Sequence, residues 1–470
     1  MLFSNLATEL LENIFTYFEQ DQKHNLASLS RVCRRFHSLI EPILYSSLEE
    51  TGKHSLFNYL RTLLEIPHLG SYVKRYKGCQ PIVYKPIFRQ MGHPDMVMRL
   101  SHGEDTIPLP SGMSKAARQA VDYITFSAEE SDGDKWHGDI LKGSWHAITA
   151  LVLAQLPNLQ ELHLLVIGNR EWPLGSTHQI VAPYHWLKRP LMRAAQLQEQ
   201  HISSPLSLEH LTTLIITQNS GKDRANPQIA QLWQLLGLQS LKRFVIQGWF
   251  FRYWNCRPKI QLPTVDLEFI NCTFEFDFLL EGEDAFFDWF PDLEKFRFQH
   301  TDNRHHFHPQ MITMLMQSLI RLQQPLRELY FEDTNDWDSV RQQDEGYFML
   351  PTDDVELESF SSFGNLEVLE TTAFDQWTRF NENNALPLAP FGEMLPSSIK
   401  LLTLRHASYA TIPYVRGLLE NRFAVPELHT LRLLYNSQDV NLGDLGGELA
   451  ALQEEGQKCG VDIIVEHIAL

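Results

Sequence analysis

A cluster of histidines is the nearest this chain comes to a chemical site. His305, His306 and His308 fall within four residues, with Asp302 close by. Imidazoles so placed bind zinc when a fixed geometry and a completed shell hold them. No cysteine or tightly spaced carboxylate completes that shell, so a metal-free histidine loop is expected. There is no Gly-x-Ser-x-Gly elbow, no Walker phosphate loop and no dinucleotide glycine fingerprint. The remaining groups suit recognition better than reaction. The run Gly248-Trp-Phe-Phe-Arg-Tyr-Trp254 brings together Trp249, Tyr253 and Trp254. Such side chains bury much area with few rotors and dominate binding hot spots, although aromatics also plug the ends of irregular repeats. From Glu332 to Glu358 ten acidic residues meet one basic residue, Arg341. A solvated or disordered insertion accounts for that stretch better than the steering of a basic partner does.

Composition narrows the classes further. A net charge of −18 over 470 residues disfavours nucleic acid and anionic membrane surfaces as partners. No apolar run approaches the roughly 18 residues of a membrane span, and no secretory leader is expected. The five cysteines at 33, 79, 256, 272 and 459 are scattered and form no Cys-x-x-Cys, which suits reduced thiols in the cytoplasm or nucleus. No cofactor is expected.

The elements that position these groups follow from periodicity. After residue 150 an apolar–x–x–apolar lead precedes an apolar–x–apolar strand. Examples are Leu156-Pro-Asn-Leu159-Gln-Glu-Leu162-His-Leu164, Leu208 to Ile216, Leu238 to Ile246, Phe290 to Phe298 and Val425 to Leu433. Weaker copies centre on Leu267, Leu329, Leu369 and Leu402. No unit of this kind buries its apolar face alone, so neighbouring units must stack. Alternate strand positions then form an outward row, which includes Arg243, Arg297, Tyr330, Arg405 and Arg432 as candidate contacts for a protein partner. For residues 50–150 the pattern predicts a strand near Leu69–Tyr76 and a helix from Ala116 running into a strand at Tyr123–Phe126. Loops are predicted at Gln90–Met113 and Glu129–Gly138. A helix from Gly447 to Lys458 precedes a last strand at Val461–Val465.

The first fifty residues differ. Leu10, Leu11, Ile14, Phe15 and Phe18 recur at helical spacing, with Thr8 as the expected N-cap. A second apolar pattern runs from Leu26 to Ile40, and Pro42 is expected to end it. Arg31, Arg34 and Arg35 are expected to rim an interface. So small a helical unit must lean on the rest of the chain or on a partner.

At Leu6, Glu9, Leu10, Leu11 and Ile14, then Leu29, Ser30, Val32, Cys33, Arg34 and Phe36, the segment resembles the F-box domain, the Skp1-binding module of SCF ubiquitin ligases. The family usually carries proline where this chain has Ala7. The repeat pattern is similar to divergent leucine-rich repeats, as in many fungal F-box proteins. Together these resemblances imply an α/β chain. A three-helix F-box (1–48) is followed by a connecting region (49–149) and an irregular leucine-rich-repeat solenoid with a curved parallel sheet (150–470). They also imply a substrate receptor. It would bind a Skp1-like adaptor, and through it a cullin, by Leu6, Leu10, Leu11, Ile14, Leu29, Val32, Cys33, Arg34 and Phe36. The repeats would bind an unidentified protein substrate, and the chain itself would catalyse nothing. A non-catalytic F-box scaffold without a ubiquitination role remains open, as does a hydrolase of unrecognised type on an α/β fold.

Overall fold

The computed structural model describes residues 6–18, 22–50, 53–79, 111–125, 130–167, 186–206, 208–219, 237–248, 250–251, 261–274, 286–300, 315, 319, 325–333, 360–372, 391–409, 411–436 and 442–468. The chain divides into two compact units, Met1–Leu241 and Lys242–Leu470. The sequence divisions at 48 and 149 both fall inside the first unit.

The first unit opens with three helices, α1 (Thr8–Tyr17), α2 (Lys23–Leu29) and α3 (Arg34–Leu44). Helical spacing puts Leu11 and Phe15 on one face of α1, where they close a core with Leu26, Phe36 and Ile40. The Phe15 and Phe36 rings meet edge to face at 5.4 Å, the arrangement their quadrupoles favour. Two expectations are corrected here. Pro42 does not end the pattern but lies inside α3. It sits in the last turn, where the lost N–H costs little and no long run of helix has to follow it. The N-cap of α1 is Ala7 rather than Thr8, and no side chain caps that end.

Two residues past α3 begins strand β1 (Ser47–Glu49), followed by α4 (Lys53–Glu65), a 3-10 turn (Pro67–Tyr72) and β2 (Arg75–Cys79). Then come α5 (Ser111–Thr125), α6 (Glu130–Leu141), α7 (Trp145–Leu153), β3 (Glu161–Ile167), α8 (Lys188–Glu199) and β4 (Thr213–Asn219). The four strands pair in parallel in the order β1-β2-β3-β4. The strand expected at Leu69 therefore starts later, at Arg75, because Pro67 favours the first turn of a helix instead. Tyr123–Thr125 ends a helix rather than forming a strand, and Ser111–Met113 is helical rather than loop. Glu130–Gly138, expected as a loop, is helical as well. Gly133, Gly138 and the acids of α6 hid the helix from the sequence. It forms because Trp136 is fully buried, donates its indole N–H to the Ala147 carbonyl at 3.0 Å and stacks on Trp186 at 5.8 Å.

The second unit contains β5 (Arg243–Gln247), β6 (Phe250–Phe251), β7 (Asp266–Ile270), β8 (Thr273–Phe274), β9 (Lys295–His300), β10 (Glu328–Asp333), β11 (Val368–Thr372) and β12 (Leu401–Arg405). It continues with α9 (Thr411–Glu420), β13 (Thr430–Asn436), α10 (Leu442–Lys458) and β14 (Asp462–Ile468). Eight strands pair in parallel in the order β5-β7-β9-β10-β11-β12-β13-β14, while β6 pairs with β8. The register aligns Phe244, Leu267, Phe296, Leu329, Leu369, Leu402, Leu431 and Ile463 in one inward row, all buried.

Backbone hydrogen bonds explain why the apolar–x–x–apolar lead recurs. Its two apolar residues close a tight turn, as in Leu211 N–H to Leu208 O (2.9 Å), Leu241 to Leu238 (3.1 Å), Leu293 to Phe290 (3.1 Å) and Leu428 to Val425 (3.2 Å). Both members of each pair are buried. Several strands begin the same way, with two successive N–H groups donating to one carbonyl just ahead of the neighbouring strand. Glu367 and Val368 share Arg327 O, Lys400 and Leu401 share Glu367 O, and Lys74 and Arg75 share Ser46 O. The last case puts β1 and β2 into the same scheme, which the sequence of 50–150 did not reveal.

Candidate protein-docking surfaces

The helical module separates its predicted contact residues into support and surface. Leu11 and Phe36 lie in its core, beneath the surface. Leu6, Ile14 and Leu29 are half-buried against that core. Leu10 (53% exposed) and Val32 (66%) stand out in water, and Cys33 and Arg34 are exposed beside Val32. Leu10, Ile14 and Tyr17 follow one another at four- and three-residue steps and so form one stripe of α1. Tyr17, 86% exposed, escaped the sequence reading although that spacing marks it.

Two residues in the module have structural tasks. Cys33 is the N-cap of α3, its Sγ accepting from Phe36 N–H at 3.4 Å. Arg35 does not rim a surface as expected. Its guanidinium donates to Leu6 O (2.8 Å) and Thr8 Oγ1 (3.1 Å), tying the start of α1 to α3. The module is in turn joined closely to the sheet. Lys23 Nζ donates to Ser47 O at 2.7 Å, and Ser46 O receives Lys74 and Arg75 as above.

The second surface is the polar side of the strands in the second unit. Register aligns Glu268, Arg297, Tyr330, Glu370, Thr403 and Arg432 across β7 to β13. Of the predicted contacts, Arg243, Arg297, Tyr330, Arg405 and Arg432 all lie on these strands, and each meets a neighbour of opposite charge or an aromatic ring. Arg243 binds Glu268 (2.7 Å) and lies 3.5 Å from Asp266, while Arg297 approaches the other Glu268 oxygen at 4.0 Å. The Arg297 guanidinium and Lys295 ammonium sit over the Tyr330 ring at 4.7 and 5.0 Å. The Tyr330 hydroxyl donates to Glu328 at 2.9 Å, and Lys295 reaches the same carboxylate at 3.3 Å. Arg405 binds Glu370 and also Glu332 (3.2 Å), and Arg432 grips both oxygens of Glu466 at 2.8 Å.

These contacts set the titration of the face. Burial, reinforced by the bond to Glu328, pushes the Tyr330 phenol upward. Burial and the Glu268 charge push the Asp266 carboxyl up. Burial acts in the same sense on Glu332, but the neighbouring His406 imidazole, its Nε2 3.8 Å away, and the Arg405 charge outweigh it and hold that carboxyl below the usual range. In the first unit, burial and Lys77 lower the His163 imidazole, which pairs with Thr217 Oγ1 at 2.9 Å.

Trp249, Tyr253, Trp254 and the His305–His308 cluster lie outside the described residues. The acidic stretch expected as one loop from Glu332 begins instead inside strand β10, which includes Glu332 and Asp333. Among the described residues no group of three His, Cys, Asp or Glu side chains could hold a metal, and no helix is long and apolar enough to cross a membrane.

Residues 3–50 match the family model F-box-like. None of the curated proteins matches the chain. The three-helix module is thus an F-box-like domain. Domains of this kind bind Skp1 as part of SCF complexes, and proteins that carry them are generally non-catalytic adaptors.

Proposed function

We propose that this chain is a substrate-recognition adaptor of an SCF-type ubiquitin ligase. It would dock on Skp1 through the F-box-like module, reach a cullin through Skp1, and hold a protein substrate on its strand-built body. One observation carries the docking half: Leu10 and Val32 remain exposed on a module whose own core is already closed by Leu11, Phe15, Leu26, Phe36 and Ile40. Exposed apolar side chains beside a closed core suit a protein interface where they join into one patch. Ile14, Leu29, Cys33, Arg34 and Tyr17 would flank them, with Leu11 and Phe36 fixing their positions from beneath. The chain would supply proximity rather than chemistry.

Repeat character in the body is supported by the recurring turn and the shared carbonyl, and by Cys272. This residue follows Leu267 and Phe269 at the spacing where leucine-rich repeats carry asparagine or cysteine. Its thiol donates to the Ile246 carbonyl of a neighbouring strand at 3.3 Å. The alternative, a scaffold that binds Skp1 without presenting a substrate, gains from the self-paired arginines of the second unit.

Copurification with Skp1 tests the docking half. The double variant Leu10→Asp/Val32→Asp should keep its fold and lose Skp1, and retention at the wild-type level would remove the assigned surface. Proteome comparison after deletion of the gene separates receptor from scaffold, because only a receptor leaves a stabilised protein behind.

A further inference from the structure

One arginine on the polar face of the second unit differs from its neighbours. Arg243, Arg405 and Arg432 each donate a hydrogen bond to a carboxylate. Arg297, which lies between them on β9, does not. Among the described residues its nearest carboxylate is Glu268 at 4.0 Å, beyond hydrogen-bond distance, and its buried Nε–H meets no acceptor. Glu268 is held away by its other oxygen, which takes the Nε–H and a terminal amino group of Arg243 at 3.0 and 2.7 Å. Yet the Arg297 guanidinium is not loose. It lies over the Tyr330 ring at 4.7 Å, and Glu328 fixes the Tyr330 hydroxyl at 2.9 Å. Stacking of this kind sets the plane of the arginine fork. The Lys295 ammonium sits over the same ring at 5.0 Å, held by Glu328 at 3.3 Å. Although its Nε is covered, the Arg297 side chain stays 36% exposed, so a partner can reach it. A guanidinium keeps its charge throughout the physiological pH range, so the sign of the site does not depend on titration.

We infer that Arg297, its plane set by Tyr330, is a recognition subsite for an aspartate or glutamate side chain of the protein partner. The inference rests on the reading that this body receives a protein. The two oxygens of a carboxylate match the fork of a guanidinium, and each charge-assisted bond would satisfy a donor that the described residues leave unmet. A doubly charged phosphate fits less well, because Glu268 and Glu328 stand beside the site and would repel it about twice as strongly as a carboxylate. The net charge of −18 opposes the approach of an acidic segment from afar, but at about 0.15 M salt that repulsion is screened beyond about 8 Å. The subsite therefore acts at contact rather than by steering.

Anisotropy of a tetramethylrhodamine-labelled decapeptide of alternating glutamate and glycine, titrated with the full chain at about 0.15 M salt, tests this. Arg297→Gln should weaken binding by about ten-fold, the scale of one lost charged hydrogen bond, with an unchanged circular dichroism spectrum. Arg297→Lys keeps the charge without the fork and should recover only part of that loss. Lys458→Gln removes the same charge from an exposed position at the end of α10 and should change affinity by no more than about two-fold. The same peptide with phosphoserine in place of glutamate should bind no more tightly. If the wild type does not bind the peptide, if Arg297→Gln binds as well as wild type, or if Lys458→Gln loses as much, there is no subsite. Full recovery by Arg297→Lys, or tighter binding of the phosphoserine peptide, overturns the carboxylate assignment. The proteome comparison judges the receptor reading without reference to Arg297, and Leu10→Asp/Val32→Asp should bind the peptide as wild type does, so failure of either earlier reading is distinguishable from failure of this one.

Discussion

The helical module and the polar face of the second unit are both candidate binding surfaces, and they are built by opposite means. The module fills its core with five apolar side chains and leaves Leu10, Tyr17 and Val32 in water. The sheet face buries its apolar rows and turns outward a lattice of charges that largely satisfy one another. Surplus apolar area advertises a partner directly, because leaving it in water costs free energy. A self-paired charge lattice advertises little, since each ion pair already has what a partner would offer, and only a local imbalance singles out a position.

Within the module, core and surface residues should separate cleanly, and this contrast carries the largest effect. Leu11→Ala should cost about 2–5 kcal/mol of stability, the range for a buried leucine. Leu10→Ala should leave the melting temperature nearly unchanged while weakening Skp1 capture. Equal destabilisation by the two, followed by thermal melting, would mean that Leu10 belongs to the core and that the module has no separate apolar surface.

The charge lattice is tested by two acids with opposite behaviour. Glu332 ionises more readily in the fold than in the unfolded chain, so its contribution is present above the ordinary carboxylate range and is lost as pH falls through its folded value. Glu332→Gln should therefore melt lower than wild type at pH 7, by on the order of 1 kcal/mol or about 2–4 °C, and converge on it in acid. Asp266 has a raised carboxyl, so its contribution exists below the ordinary range and is lost as pH rises through its folded value. Asp266→Asn should gain on wild type between pH 4 and pH 7. Parallel pH curves for the two variants would show that the lattice does not hold these carboxyls as described.

The smallest effect concerns the start of α1. Ala7 holds φ −58°, close to the value a proline ring imposes. Ala7→Pro should stabilise the module by about 0.4–1 kcal/mol, through the unfolded state, without altering the docking surface. A destabilised variant in chemical denaturation would show that the Ala7 N–H or the Leu6 conformation matters more than the preset angle.

Much of this organisation was legible in the sequence, for identifiable reasons. The strand rows followed from an apolar period of two and from the buried turn that precedes each strand. The apolar stripe of α1 followed from its 3.6-residue period, although Tyr17 was overlooked because its polar hydroxyl did not count as apolar. Other features depended on tertiary contacts that no local pattern carries. Helix α6 contains two glycines and four acids, yet Trp136 folds it against α7 and Trp186. Arg35 seemed one of three surface arginines until its reach to Leu6 O was seen. The pairing of Arg405 with Glu332 and Glu370 joins residues 73 and 35 positions apart, a register that alternation alone cannot supply.

The join between module and sheet has a mechanical consequence. Only Tyr45 and Ser46 separate α3 from β1, and Ser46 O is bound from β2 by Lys74 and Arg75. A flexible tether would let a docked partner sample many distances from the sheet of the first unit, and the local concentration of each group on it would fall as that tether lengthened. A two-residue connector anchored at its own carbonyl has almost no slack. It behaves as a lever fixed at one end, so the strands of the first unit turn with whatever the helices grasp.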